Sequence, residues 1–201
     1  MSWRVALTFD AEHADRTHDA GGTTRVLDTL AEAGIVATWF VQGRWATAFP
    51  DVARRIADDG HLVGSHSHYH ARLPLLSTAG LAEDIRAAER AIVTATGVDP
   101  RPWFRCPFGA GTYDRRVLGV LERRGYRESR WHVDAGDWRV RATGPGVTRA
   151  VLDGALARGD GAVVLLHPWT RATGRALPAI IPRLADAGAT FVRLDALESR
   201  P

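Results

Sequence analysis

Three histidines fall within five residues in the stretch GSHSHYHARL, Gly64 to Leu73: His66, His68 and His70. On a helical turn, residues four apart share a face, so His66 and His70 would converge while His68 points away; on a strand all three would share one face. Converging imidazoles can hold one divalent cation. Three unrelated surface histidines are the alternative that this stretch alone leaves open. Further residues of reactive type are Asp10 and Glu12 in LTFDAEH, Arg105 in RCPFG, Asp137 in DAGDW and His167 in VVLLHP. Two histidines and one carboxylate, with positions left for water and substrate, describe a catalytic metal site. Such a metal polarises a carbonyl and activates water. A second carboxylate is then available as general base, oriented by an Arg and an Asp, and His167 can protonate a leaving group. The chemistry within reach of this set is metal-assisted hydrolysis of an amide or ester.

Each of these residues follows a segment of strand character. RVALTF (4–9), VATWFV (36–41), HLVGSH (61–66), PWFRCP (102–107), SRWHVDA (129–135), GAVVLLH (161–167) and TFVRL (190–194) read as strands. Between them, TTRVLDTLAEAG (23–34), PDVARRIADDG (50–60), LAEDIRAAERAIVTATG (81–97), DRRVLGVLERRG (114–125), VTRAVLDGALARG (147–159) and LPAIIPRLADAG (177–188) read as helices, several closed by a glycine. Alternating strands and helices imply a parallel sheet. A doubly wound dinucleotide fold would carry a glycine-rich fingerprint, and GAGTYD (109–114) has only two of its glycines. Barrels gather chemistry at the carboxyl ends of their strands, where all the reactive residues here fall. The expected fold is therefore an α/β barrel, with residues 1–201 read as a single domain.

The 201 residues suffice for a sizeable core, and 45% hydrophobic with 24% charged residues is the profile of a globular protein. No apolar run reaches the length of a membrane span, so no membrane partner is expected. The first residues lack a leader pattern, which sets the expectation of a cytoplasmic protein, or of a mature form whose leader was removed. The single cysteine, Cys106, cannot form an internal disulfide and reads as a small buried hydrophobe. Every basic side chain other than histidine is Arg; without Lys, Schiff-base and P-loop lysine chemistries are excluded. The formal charge is only +3 and the arginines are interspersed with acids, so nucleic acid is not expected as a partner.

In the order TFDAEH (8–13), HSHYH (66–70), RCPFG (105–109), DAGDW (134–138) and LLHP (165–168), the chain resembles the polysaccharide deacetylases, carbohydrate esterase family 4, also called the NodB-homology domain. The resemblance runs across nearly the whole chain and implies a distorted (β/α)7 barrel that removes acetyl groups from N-acetylated sugars. It implies His66 and His70 as metal ligands, Asp10 as general base and Arg105 as the residue orienting it. The backbone N–H of Phe108 would help hold the oxyanion. Asp137 would tune His167, the general acid; Trp138 would line the groove and Leu165 the pocket for the acetyl methyl. The metal implied is zinc, with cobalt or nickel as alternatives.

Two positions depart from the family pattern. Ala11 stands where a second Asp supplies the third ligand, and Pro168 follows His167 where Asp is common. Ala11 has no donor, so Glu12 is expected to bind the metal directly, with His13 near enough to substitute. Otherwise His13 and His18 read as surface residues, and His61 and His132 as structural. Trp169 is left open between core and ligand stacking, and Asp134 reads as a loop support. The leading expectation is an N-acetyl-sugar deacetylase acting on a small intracellular substrate. Hydrolysis of a small non-sugar amide and a non-catalytic carbohydrate-binding barrel are the alternatives.

Overall fold

The computed structural model describes residues 2–13, 15 and 21–198; His18 lies outside them. The elements in chain order are β1 (Trp3–Ala11), α1 (Gly22–Glu32), β2 (Thr38–Val41), α2 (Gly43–Ala48), α3 (Pro50–Asp58), β3 (Leu62–Ser65), α4 (Thr78–Thr96), β4 (Trp103–Phe104), α5 (Arg115–Arg123), β5 (Arg127–Glu128), β6 (Val133–Asp134), α6 (Gly144–Arg158), β7 (Ala162–Leu166), α7 (Arg171–Asp186), β8 (Ala189–Phe191) and α8 (Leu194–Glu198). Every strand pairing is parallel. Seven strands follow the order β5-β4-β3-β2-β1-β7-β6, and β8 joins the start of β1. The sheet curls into the incomplete barrel of the expected α/β class, with no ladder among the described residues joining β5 to β6.

β1 is the axis of this arrangement because it alternates between two buried faces. Val5, Leu7, Phe9 and Ala11 belong to the large cluster that packs under the helices, where Phe9 stacks on Trp39 with ring centroids 4.7 Å apart. Ala6, Thr8 and Asp10, on the other side of the two-residue repeat, face the barrel interior, and Ala6 packs there with Phe40, Trp103, Val163 and Leu194. A strand buried on both faces needs the near-continuous apolar run that RVALTF supplies. The polar exceptions, Thr8 and Asp10, are thereby marked as interior groups that require partners.

Local chemistry sets the helix ends. Ser77 Oγ accepts from the Gly80 amide to start α4, and Gly97, at φ 75°, ends it in the left-handed conformation. Asp114 caps α5 through the amides of Arg116 and Val117. Pro50 opens α3 as the sequence suggests.

The segment 129–135 departs from expectation. Only Val133–Asp134 pairs as a strand, while Arg127–Glu128 forms a separate short strand on β4. Ser129 donates its amide to the Phe104 carbonyl at 2.7 Å, and the chain then leaves the sheet between the two. The last long helix begins at Arg171 rather than Leu177, because Thr170 caps it by accepting from Thr173, and it ends at Asp186. α2 and α8, at six and five residues, are too short to show a helical period in the sequence.

His61 and His132 hold backbone amides, as expected of structural histidines: Ala37 N–H donates to His61 Nδ1 at 3.0 Å, and Val163 N–H to His132 Nδ1 at 3.1 Å. Burial pushes His61 down to about 4 from its ordinary 6.5. The unfolded chain therefore binds the proton first, and stability is lost as pH falls below about 6.5. This residue is expected to remove about 1–2 kcal/mol between pH 7 and 5. In His61→Asn the amide oxygen replaces Nδ1 as acceptor without titrating. Urea unfolding of that variant at the two pH values should show a smaller loss than the wild type.

Candidate active site

Every sequence-nominated residue lies at the carboxyl ends of the parallel strands. Asp10 and Glu12 sit at and just past the end of β1, His66 follows β3, Arg105 follows β4, Asp137 follows β6 and His167 follows β7. Asp10, Glu12, His66, His70, Phe108, Trp138, Leu165 and His167 all line one cavity of about 600 Å³. Arg105 and Asp137 stand behind that lining, each buried and each holding one of its members.

His66 and His70 converge through a loop, not through the helical turn that their spacing admits. Residues 66–70 are non-helical, with left-handed backbone at Ser67 (φ 62°) and His70 (φ 57°). Asp84 of α4 accepts from the amides of both His68 and Tyr69 at 3.0 Å, and Ser67 Oγ accepts from the His70 amide at 3.0 Å. From the other side, the Gly43 amide at the start of α2 donates to the Ser67 carbonyl at 2.9 Å. A Cβ at Gly43 would sit 2.4 Å from His68 Nδ1 and 2.8 Å from the Ala88 Cα, so only glycine permits this approach. His68 is partly buried and turns away from Glu12 to line a different groove.

The two histidines meet Glu12. Its Oε2 contacts His70 Nε2 and lies 3.3 Å from His66 Nε2. Ligand atoms of Glu12, His66 and His70 all fall within 4.8 Å of one another, which makes the three a possible metal site. His66 Nδ1 donates to the Arg105 carbonyl at 2.9 Å, leaving Nε2 to face Glu12. Burial pushes the Glu12 carboxyl up, but hydrogen bonds from His13, His66 and His70 outweigh it and hold it far below the usual carboxylate range. Burial also disfavours charge on His66, yet Asp10 and Glu12 raise it overall, while His70 is pulled down by burial.

Asp10 Oδ1 accepts from Arg105 Nη1 at 2.8 Å, and Oδ2 stands 3.6 Å from His66 Nε2. The same Nη1 donates to Thr8 Oγ1 at 2.8 Å, and Arg105 Nε donates to the Ser129 carbonyl at 3.1 Å. Across the cavity, His167 Nδ1 donates to Asp137 Oδ1 at 2.8 Å, and its amide donates to Oδ2 at 2.6 Å. Thr173 gives Oδ2 a further short hydrogen bond. Burial would lower His167, but Asp137, followed by Asp10 and Glu12, raises it to about 9.

Sequence reasoning missed several neighbours. His13 is not a surface residue: it is half-buried in the cavity lining, with Nε2 2.9 Å from Glu12 Oε1. Trp169, left open between core and ligand stacking, lines the cavity, and what was missed is that its Nε1 donates to the same oxygen at 3.3 Å. Thr8 was legible in principle, two residues before Asp10 on one face of β1. Thr173, Trp131 and Arg72 carry no local signal, because tertiary contact alone brings them in. Among the described residues, the non-glycine left-handed ones are His13, Ser67, His70 and Phe108, and His13, His70 and Phe108 line the cavity while Ser67 lies between the two histidines. Such residues cost of order 1–3 kcal/mol each and persist only where surrounding contacts hold them.

Comparison with known proteins identifies the family. The family model described as polysaccharide deacetylase matches residues 3–129. The chain belongs to the polysaccharide deacetylase family. Among its curated relatives is the peptidoglycan-N-acetylglucosamine deacetylase PgdA of Listeria monocytogenes, 36% identical over 96% of this chain. This deacetylase-family chain spans only 38% of that relative's length. Among solved structures, a family 4 carbohydrate esterase from Streptomyces lividans in complex with acetate is 31% identical with a TM-score of 0.82, covering 94% of this chain and 91% of that one. A CE4-family pseudoenzyme from Bacillus anthracis is 27% identical with a TM-score of 0.86, covering 98% of this chain and 65% of that one. Likeness of fold in this family is therefore shared by active and inactive proteins.

The Arg105–Asp10 pair is buried, so removing one partner strands the other's charge. Arg105→Met is expected to cost about 3–5 kcal/mol in urea unfolding. Adding Asp10→Asn should recover part of that loss, since the second charge goes with it; a fully additive double variant would refute the coupling.

Proposed function

We propose that this chain is a divalent-metal-dependent hydrolase that removes acetyl groups from N-acetylated amino sugars in a glycan. The observation that carries the reading is one cavity in which a His-His-carboxylate set meets a tethered carboxylate and a tethered imidazolium. The names of the relatives favour a peptidoglycan-like polymer over the small intracellular substrate expected from the sequence.

The donor set fits a borderline metal: two imidazole nitrogens and one carboxylate oxygen on convergent side chains, with Glu12 supplying what Ala11 lacks. Zinc, cobalt or nickel would suit it. When bound, such an ion supplies Lewis acidity, polarising the amide carbonyl and making water more acidic. The chain's own groups then divide the remaining work. Asp10, with Oδ1 fixed by Arg105, takes a proton from the attacking water through Oδ2. The backbone N–H of Phe108 steadies the oxyanion as the carbonyl becomes tetrahedral. His167 donates Nδ1–H to Asp137, which leaves its other proton on Nε2. That proton passes to the sugar nitrogen as the C–N bond breaks, so acetate and a free amine result. Leu165 faces the acetyl methyl, and Trp138, half exposed at the rim, offers a ring face to the sugar.

A second reading, a barrel that binds glycan without hydrolysing it, is supported by the Ala11 departure and by the likeness to a pseudoenzyme. The small-amide alternative shares the chemistry and differs only in substrate. Acetate release from chitooligosaccharides, peptidoglycan fragments and cyclic amides separates the three; release from the amides alone, or from nothing at full metal occupancy, would overturn the proposal.

Two sets of variants probe the roles. His66→Ala and Glu12→Gln should each lose tight zinc binding, measured by chelator competition, with the fold intact by circular dichroism. Glu12→Asp should restore little, because the shorter arm falls short of the histidines. Asp10→Asn should retain metal and lose most turnover, and His167→Ala should lower kcat by about 10²–10⁴-fold. Raised toward about 9, His167 keeps its proton at neutral pH and loses it as pH rises. Asp137→Asn should therefore move the alkaline limb of the pH–rate profile to lower pH.

A further inference from the structure

Glu12 replaces a shorter ligand, and its extra methylene brings an extra rotatable bond. Left free, such a side chain could swing away from the histidines or turn both oxygens toward them. The surroundings forbid both. Oε1 is approached by His13 Nε2 at 2.9 Å and by Trp169 Nε1 at 3.3 Å, whereas Oε2 is the oxygen facing His66 and His70. An indole N–H can only donate and an ionised carboxylate can only accept, so Trp169 fixes the direction of its bond. By the same logic His13 must carry its proton on Nε2 when it bonds Oε1.

We propose that His13 and Trp169 are positioning residues that clamp Glu12 Oε1, so that Oε2 alone is presented to the metal. This rests on the metal-site reading above. The clamp is itself rigidly mounted. The His13 amide donates to Gln42 Oε1 at 3.1 Å, and the Gln42 amide donates to the Ala11 carbonyl at 2.9 Å. The His13 backbone is left-handed at φ 66°, which turns the ring back over the site. There its edge meets Trp169 at 5.0 Å and His70 at 5.4 Å between centroids. Trp169 follows Pro168, the second departure from the family pattern, so both departures bear on one carboxylate. Ala11 shifts the ligand to a longer side chain, and the segment after His167 supplies a donor that holds it.

The test needs a readout apart from turnover. Partners that orient a metal ligand typically contribute 10–100-fold in affinity. Zinc titration against a chromogenic chelator should show a Kd raised about 10–100-fold in His13→Ala and at least several-fold in Trp169→Phe, which keeps the ring but loses the N–H. His13→Gln retains a donor and should recover much of the affinity. X-ray absorption on the zinc-loaded proteins should give the same number of imidazole ligands in wild type and His13→Ala. Loss of one would make His13 a ligand and overturn the clamp, as would unchanged Kd in both variants. A second measurement applies with no metal present. The Trp169 indole N–H resonance should move upfield in Glu12→Ala; if it stays in place, the clamp is wrong. Should the wild type bind no divalent ion, the functional reading fails, while the indole resonance still decides the clamp.

Discussion

The buried guanidinium of Arg105 is the constraint around which this molecule is organised. Its side chain is wholly enclosed, lying over the Phe40 ring at 4.0 Å, and a positive charge in such a place is tolerated only with an ionised partner. Asp10 is that partner, with Thr8 Oγ1 and the Ser129 carbonyl accepting further hydrogen bonds. Those contacts tie β1 to the segment that leaves the sheet after β5. The Arg105 carbonyl meanwhile fixes the His66 ring. One residue thus sets the orientation of a carboxylate with its side chain and of an imidazole with its backbone. Repacking at this point would disturb Asp10 and the His66 side of the candidate metal site together.

His167 and Asp137 repeat the logic on the opposite wall. Here the carboxylate is the hidden member and the imidazole faces the cavity, so the charge balance is reversed. One tether fixes a carboxylate through Arg105, and the other keeps an imidazole protonated, with Asp137 raising His167 to about 9.

Much of this was legible in the sequence because barrel geometry converts position into proximity. Once the strands are recognised, residues at their carboxyl ends must converge, and Asp10, Glu12, His66, Arg105 and His167 needed no further information. His70 was legible in outcome but not in route, since spacing suggests a helical turn and the chain uses a left-handed loop held by Asp84. His13 looked like a polar loop residue because nothing local distinguishes a histidine facing solvent from one turned inward by a positive φ. Trp169 and Thr173 depend on how the start of α7 docks, and that information is spread over the whole fold. The strand at 127–128 was invisible, and the one at 133–134 was read too long, for a related reason: two-residue ladders carry no periodicity.

Those same short strands have a bearing on solubility. A sheet that fails to close exposes two edges, and an exposed edge is a template on which another chain can add a strand. Here the two edges that flank the open seam, Arg127–Glu128 and Val133–Asp134, are only two residues long, and each carries charge. Arg127 also lies across the Trp103 ring at 4.5 Å. Edges this brief give an incoming strand too few backbone groups to register against. The barrel can stay open along one seam without inviting the edge-to-edge association that leads to fibrils.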